Sequence, residues 1–179
     1  MDPLTGDGIR LRELRPEDLE DFFAIVGDDR VTSWMAFDSH TRESAEKMLT
    51  GIVTRSAQED RPDYMLAVTR LDDDQVIGFG RIAPSGTQAG KLGYAIGADH
   101  WGRGYATDAA RTLVKFGFGT LDLHRISAAI GPENLASVAV VKRLGFSYEG
   151  RLRHHVFTNG AWRDSLLYSL LETEVRVGS

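Results

Sequence analysis

Two short glycine-bearing segments hold most of the residues that could do chemistry in this chain. The first, His100-Trp101-Gly102-Arg103-Gly104-Tyr105-Ala106-Thr107-Asp108, separates an apolar run from a helical pattern. Its glycines allow a sharp turn and close backbone approach to a ligand, and the first N–H groups of the following helix have no internal partner. With the helix dipole and the Arg103 charge added, the arrangement suits a phosphate or pyrophosphate. The same residues also suit a plain glycine turn into a helix, with Arg103 merely solvated. The segment is not a P-loop, since no Gly-Lys-Ser/Thr follows, and it lacks the third glycine of a dinucleotide fingerprint. The second segment, Gly131-Pro132-Glu133-Asn134-Leu135-Ala136-Ser137, follows an apolar run and opens a shorter helix. Asn134 suits the cap of that helix, and Ser137 can present a hydroxyl from its first turn. Taken alone, a cap and an exposed first-turn serine account for it as well.

These segments need a frame to position them, and the hydrophobic periodicity supplies one. Ile9 to Leu14 alternates with period 2, as a half-buried strand does. Pro16, Glu17 and Asp18 suit the start of a helix, and Leu19, Phe22, Phe23 and Val26 continue it on one face to Gly27. A second helix is predicted from near Thr41, with Ala45, Met48, Leu49, Ile52 and Val53 inward. Tyr64–Thr69 and Val76–Ile82 read as a hairpin with Asp72-Asp73-Asp74 in its turn, and Leu92–Ile96 adds a third antiparallel strand. After the first glycine segment comes a helix with Ala106, Ala109, Ala110, Leu113, Val114 and Gly117 inward. Ile126–Ile130 is the next strand, and Asn134–Leu144 the next helix, stopped at Gly145. Strand-like runs at 146–149, Arg153–Phe157 and Ser165–Leu171 close the chain, with Asn159-Gly160 as a hairpin turn. The expected fold is mixed α/β, of α+β type: one central, mostly antiparallel sheet of about seven strands flanked by about four helices.

Composition bounds the rest. With 179 residues, 42% hydrophobic and 26% charged, one domain over 1–179 with a full core is expected, and a disordered chain is excluded. Cysteine is absent, so disulfides, thiolate nucleophiles and Cys-based metal sites are out, and any thiol chemistry must come from a cofactor. No HExxH occurs, and the adjacent His154 and His155 face opposite ways on a strand, so no metal is expected. The formal charge of −5 argues against broad DNA binding. No window approaches about 18 apolar residues, and the acidic start MDPLTGDGIR lacks a signal-peptide core, so a cytoplasmic protein with no membrane contact is expected.

Together the two segments resemble the GNAT superfamily of acyl-CoA-dependent N-acyltransferases, and the resemblance runs almost end to end. It is carried by Ile9-Arg10-Leu11-Arg12, Arg15-Pro16-Glu17-Asp18, Gly93-Tyr94-Ala95-Ile96, Trp101 to Ala109, Glu133 to Ser137 and Leu144-Gly145-Phe146, in that order. Tyr148 to Arg153, Asn159 to Asp164 and Tyr168 to Leu171 look like the RimJ/RimL branch, whose named members acetylate the N-termini of ribosomal proteins. The resemblance implies that the strands Leu92–Ile96 and Ile126–Ile130 splay apart and that acetyl-CoA sits in the gap. Gly97 would then suit a bulge where the pairing is released. Ile96, Trp101, Gly102, Arg103, Gly104, Tyr105, Ala106, Thr107, Asn134 and Ser137 would contact the cofactor. The backbone amides of 103–106 would hold the pyrophosphate and Asn134 the pantetheine arm.

The implied reaction is direct attack of a neutral amine on the thioester, with a base taking the ammonium proton and an acid protonating the CoA thiolate. Ser137 matches the serine given the acid role in the RimL-like branch. The base departs from the pattern: Lys91 stands where a carboxylate often occurs, and the RimL-like glutamate falls on Val156. His154, two residues earlier and so expected on the same strand face, is the candidate base, with release of the proton to water as the alternative. Trp34, Phe37, Asp38 and Trp162 are the candidate acceptor pocket, or else core or dimer packing. A protein or peptide N-terminus is the first substrate expectation. A small amine (antibiotic, polyamine or amino acid), a longer acyl donor and a non-catalytic acyl-CoA sensor are the alternatives. A homodimer through the last strands is compatible with the resemblance.

Overall fold

A computed structural model of the chain describes residues 1–175, so the last four residues of the expected 1–179 domain lie outside the described residues. The elements are β1 (Leu4–Thr5), β2 (Ile9–Glu13), α1 (Leu19–Val26), α2 (Asp29–Thr32), α3 (Arg42–Ser56), β3 (Tyr64–Arg70), β4 (Val76–Pro84), β5 (Ala89–Ile96), α4 (Tyr105–Gly119), β6 (Arg125–Ile130), α5 (Leu135–Arg143), β7 (Ser147–Thr158) and β8 (Ala161–Leu171). The strands form one sheet in the order β1-β2-β3-β4-β5-β6-β8-β7. Every pairing is antiparallel except that of β5 with β6. That parallel pair is joined by the crossover through α4, the long connection that parallel neighbours require.

Two apolar clusters cover the two faces of the sheet. Leu113, Ile82, Leu92, Ile126, Val141 and Leu170 pack with α4 and α5 on one face. Phe22, Leu49, Ile52, Ala67, Phe79 and Ala95 pack with α1 and α3 on the other. Along β5 the alternation is clean: Leu92 and Ile96 go to the α4 side and Ala95 to the α1 side, as period 2 requires. Among the described residues, no helix is long and apolar enough to cross a membrane.

The structure adds to the expected elements at several points. There are eight strands rather than seven, because the two-residue β1 pairs with β2; a segment that short carries no periodicity to read. Pro16–Asp18 is a single 3-10 turn, and the α-helix begins at Leu19. There Asp18 turns inward, 8% exposed, to hold the buried Arg12 guanidinium through two bonds of 2.8 Å. Breaking such a pair strands a buried charge and costs about 3–5 kcal/mol. Arg12 also bonds Asp74 at 3.1 Å, so one of the three turn aspartates anchors the β3–β4 tip to β2. Gly97 is not a bulge. The β4–β5 register is unbroken to Ile96, and the Gly97 N–H bonds the Ile77 carbonyl at 2.8 Å.

The largest difference is at the chain end. The runs expected as two strands, 146–149 and Arg153–Phe157, form one twelve-residue strand, β7, interrupted by two register shifts. Tyr148 pairs with Tyr168 and Gly150 with Leu167, which inserts one residue. Leu152 pairs with Ser165 and Val156 with Arg163, which inserts two more. Such bulges belong on an edge strand, where the extra residues disturb only one ladder. The two-residue turn at Asn159-Gly160 has positive φ at both positions, 51° and 70°, as expected for a type I′ hairpin.

Candidate active site

The site is a wedge between β5 and β6. These strands pair only at Ala89↔Arg125, Gly90↔Ile126 and Lys91↔Ser127. Beyond Lys91 they diverge, while β5 stays paired to β4 and β6 to β8 along their outer edges. Leu92 to Ile96 and Ala128 to Ile130 therefore each turn toward the gap one backbone edge that no strand pairs, and such groups must find other partners. Lys91, which stands where the resemblance implies a carboxylate, sits at the pinch of the wedge on its last rung.

At the open end, β5 runs through a 3-10 turn, Ala98–His100, into the first glycine segment. Gly102 and Gly104 adopt left-handed conformations, φ 75° and 82°, and Gly104 is the N-cap residue of α4. An L side chain at either position would be strained by roughly 1–2 kcal/mol, and a Cβ added at either would project into open space. Among the described residues, no backbone N–H from Gly102 to Thr107 has a protein acceptor. The result is a cradle of unpaired donors at the positive end of a fifteen-residue helix, which suits a pyrophosphate. Arg103 is exposed and makes no ion pair among the described residues.

Buried contacts hold the cradle from behind. Asp108, 7% exposed, accepts the backbone N–H groups of Asp7 and Gly8 at 3.0 and 2.7 Å, tying α4 to the β1–β2 turn. The Thr107 hydroxyl accepts from Arg143 at 3.1 Å, so only the Thr107 backbone faces the cradle. The Trp101 indole N–H donates to the Ile96 carbonyl at 2.7 Å, closing the end of β5.

On the other side of the wedge, Asn134 caps α5: its Oδ1 accepts the Ser137 N–H at 3.0 Å, and its amide N–H₂ has no partner among the described residues. The Ser137 hydroxyl is half-buried and likewise free of protein partners among the described residues. Tyr94 on β5 spans the gap and donates its hydroxyl to the Ser137 carbonyl at 3.3 Å. Burial pushes the Tyr94 phenol up to about 12, so it stays a neutral donor at ordinary pH. Neither periodicity nor motif singled out Tyr94 as a bridge, because its partner is a backbone carbonyl forty-three positions away.

The rim is made by the β7–β8 hairpin and the loop between α2 and α3. Leu166 pairs with Ile130, the last residue of β6, so the hairpin beyond Leu166 projects past the open end of the wedge. Its tip docks on the loop. Asp38 Oδ1 accepts from the Thr158 hydroxyl at 2.6 Å and the Asn159 N–H at 2.8 Å, bonds that hold its carboxyl below the ordinary 3.8. Arg163 donates to the carbonyls of Ser33, at 2.5 Å, and Met35. The loop and hairpin expected to flank one pocket are thus brought together, with Asp38 serving as their tether. Phe37 packs with the α1 side of the core and against His40, whereas Trp34 and Trp162 are half exposed.

His154 does not lie where period 2 puts it. The two inserted residues place it in the left-handed region, φ 49°, with its ring stacked on Trp162 at 6.2 Å between centroids. Trp162 alternates with Arg163, so His154 stands on the face away from the 33–38 loop, opposite to the face of Arg163 and Val156. The bulge leaves an open recess of about 720 Å³ lined by Arg151, Leu152, Arg153, His154 and His155.

A family model described as an acetyltransferase (GNAT) domain matches residues 9–147. The chain belongs to the GNAT family. An uncharacterized N-acetyltransferase p20 of Bacillus licheniformis is 30% identical over 97% of this chain and 98% of that protein. The putative ribosomal N-acetyltransferase YdaF of Bacillus subtilis is 27% identical over 95% of this chain and 94% of its own. The structure of Mycobacterium smegmatis RimJ in complex with CoA-disulfide superposes with a TM-score of 0.83, at 26% identity, over 97% of this chain and 88% of that one. The GNAT chain described here is an acyl-CoA-dependent N-acetyltransferase of RimJ/RimL-like type.

Proposed function

We propose that this GNAT enzyme acetylates the α-amino terminus of a protein or peptide, with acetyl-CoA as donor. The unpaired donor cradle at Gly102–Thr107 beside the β5–β6 wedge carries the cofactor half of that reading. The names of the RimJ and YdaF relatives favour the protein acceptor. The backbone N–H groups of Arg103 to Ala106 would take the pyrophosphate, and the free amide of Asn134 the pantetheine. The unpaired edge of β5 would receive the amide-like arm and the thioester carbonyl oxygen, where a fixed donor is most effective.

The reaction then needs two proton movements. An amine arrives as R–NH₃⁺ and must lose a proton before nitrogen can attack the thioester carbon. Collapse of the adduct forms the C–N bond, breaks the C–S bond and expels the CoA thiolate, which takes a proton. Ser137, free of protein partners in the first turn of α5, is the group for that second transfer, its hydroxyl being restored by the proton that nitrogen sheds. The acceptor enters from the face of the 33–38 loop, opposite to α4, between Trp34 and the hairpin that bears Trp162. The deciding experiment is CoA thiol release from acetyl-CoA, with mass spectrometry of the acceptor, across N-terminal peptides and spermidine. A gain of one acetyl group on the peptide α-amine is expected, and gain on spermidine alone would overturn the protein acceptor.

A further inference from the structure

The register shift that carries His154 away from the rim brings its neighbour into it. Ser165 pairs with Leu152 and lies one residue beyond the Ile130↔Leu166 rung, immediately past the end of β6. Leu166, Tyr168 and Leu170 face the α5 side, so by alternation Ser165 and Arg163 face the 33–38 loop. The Arg163 bonds to Ser33 and Met35 confirm that direction. His155 reaches the same face, for its Nδ1 lies 3.0 Å from the Ser165 hydroxyl. Ser165 is 5% exposed and fixed in the sheet, whereas the His155 ring is exposed beside the bulge recess.

We propose that His155, held by Ser165 at the end of β6, is the group that takes the proton from the acceptor ammonium. The inference rests on the acetyl-transfer reading above. When Nδ1–H donates to the Ser165 hydroxyl, that bond sets the tautomer, and Nε2 carries the lone pair on the exposed part of the ring. Nε2 removes one proton from R–NH₃⁺, giving the neutral amine that attacks, and the imidazolium returns the proton to solvent through the open recess. The charged groups near it are Arg163, on the same face of β8 as Ser165, and Arg153 and Arg151, which line the same recess. Asp164 and Arg151 pair with each other at 2.6 Å on the opposite face.

The test compares wild type with His155→Gln, His154→Gln and Ser165→Ala, using an N-terminally free peptide and acetyl-CoA, with rates measured from pH 5.5 to 9. His155→Gln is expected to lower kcat about 10²-fold. Its rising pH limb should move toward about pH 8, where an α-amine sheds its own proton. Ser165→Ala should lower kcat less and keep the limb. Acetyl-CoA affinity by calorimetry and thermal midpoint should hold in both. The reverse pattern, the limb lost in His154→Gln and kept in His155→Gln, overturns the proposal, as does an unchanged profile in both. No turnover by wild type on peptide or spermidine overturns the acetyl-transfer reading and this proposal with it.

Discussion

The cradle and the rim of this site are built on different principles. The cradle is backbone: two left-handed glycines, a helix start and a run of N–H groups, clamped from behind by Asp108. The rim is side chain: Asp38, Thr158, Arg163, Ser165 and His155, bridging a loop and a hairpin more than a hundred residues apart. In the proposed reading the cradle takes a pyrophosphate, which is the same in every acyl-CoA, so a fixed backbone receptor would suffice. The rim would take the acceptor, which differs between enzymes, and a docked hairpin with an irregular edge strand can change its contacts without disturbing the core.

Four changes would break or sharpen that contrast. The largest effect is expected from Ser137→Ala: kcat should fall about 10²-fold or more while acetyl-CoA affinity holds, as calorimetry beside turnover will show. Equal loss of both would reassign Ser137 to cofactor positioning. Gly104→Val comes next, since a β-branched residue in the left-handed region is strained by roughly 1–2 kcal/mol and its side chain fills the cradle. Acetyl-CoA affinity should weaken by about tenfold or more, and an unchanged affinity in a folded variant would remove the pyrophosphate from this loop.

Rim changes should be smaller and should spare the cofactor. Arg163→Ala deletes two bonds to the 33–35 backbone, one exposed and one part-buried. It should raise KM for the acceptor by about two- to fivefold, the scale of an exposed charged contact, with acetyl-CoA affinity unaltered. A drop in that affinity would mean that the two halves are coupled. The smallest effect concerns pH. Asp38 is held below its ordinary 3.8 by Thr158 and then Asn159. A depressed carboxylate stabilises its folded contacts above the unfolded value, and that contribution is lost as pH falls through the lowered one. Hairpin docking, followed by tryptophan emission, should therefore persist to pH 4 and loosen below it, and Asp38→Asn should abolish the step.

Much of the frame was legible from local pattern. The helices around Phe22, Leu49, Leu113 and Val141 and the strand around Ile126 repeat at the period their burial imposes, and the strands around Leu66 and Phe79 are continuous apolar runs because both their faces are buried. Gly102 and Gly104 announced a left-handed turn before a helix, and Asn159-Gly160 a hairpin, because few residues tolerate those conformations. Gly97 suits a bulge by residue type, yet the β4–β5 ladder runs unbroken to Ile96 and β5 parts from β6 already after Lys91. At the end of the chain, alternation ran through Arg153 to Phe157 with no mark of the inserted residues, and His154 was assigned the face that belongs to His155.

The sequence by itself determined the family, the element order and the donor cradle, because each rests on local conformational preference or on contacts within one turn of chain. Only the tertiary structure decided which histidine meets the rim, that Asp38 is a tether, and that Tyr94 crosses the wedge to α5. Those outcomes depend on register and on pairs of groups 10 to 121 positions apart. An odd insertion reverses a strand's alternation and any insertion bends it, and nothing short of the paired partner strand records where an insertion falls.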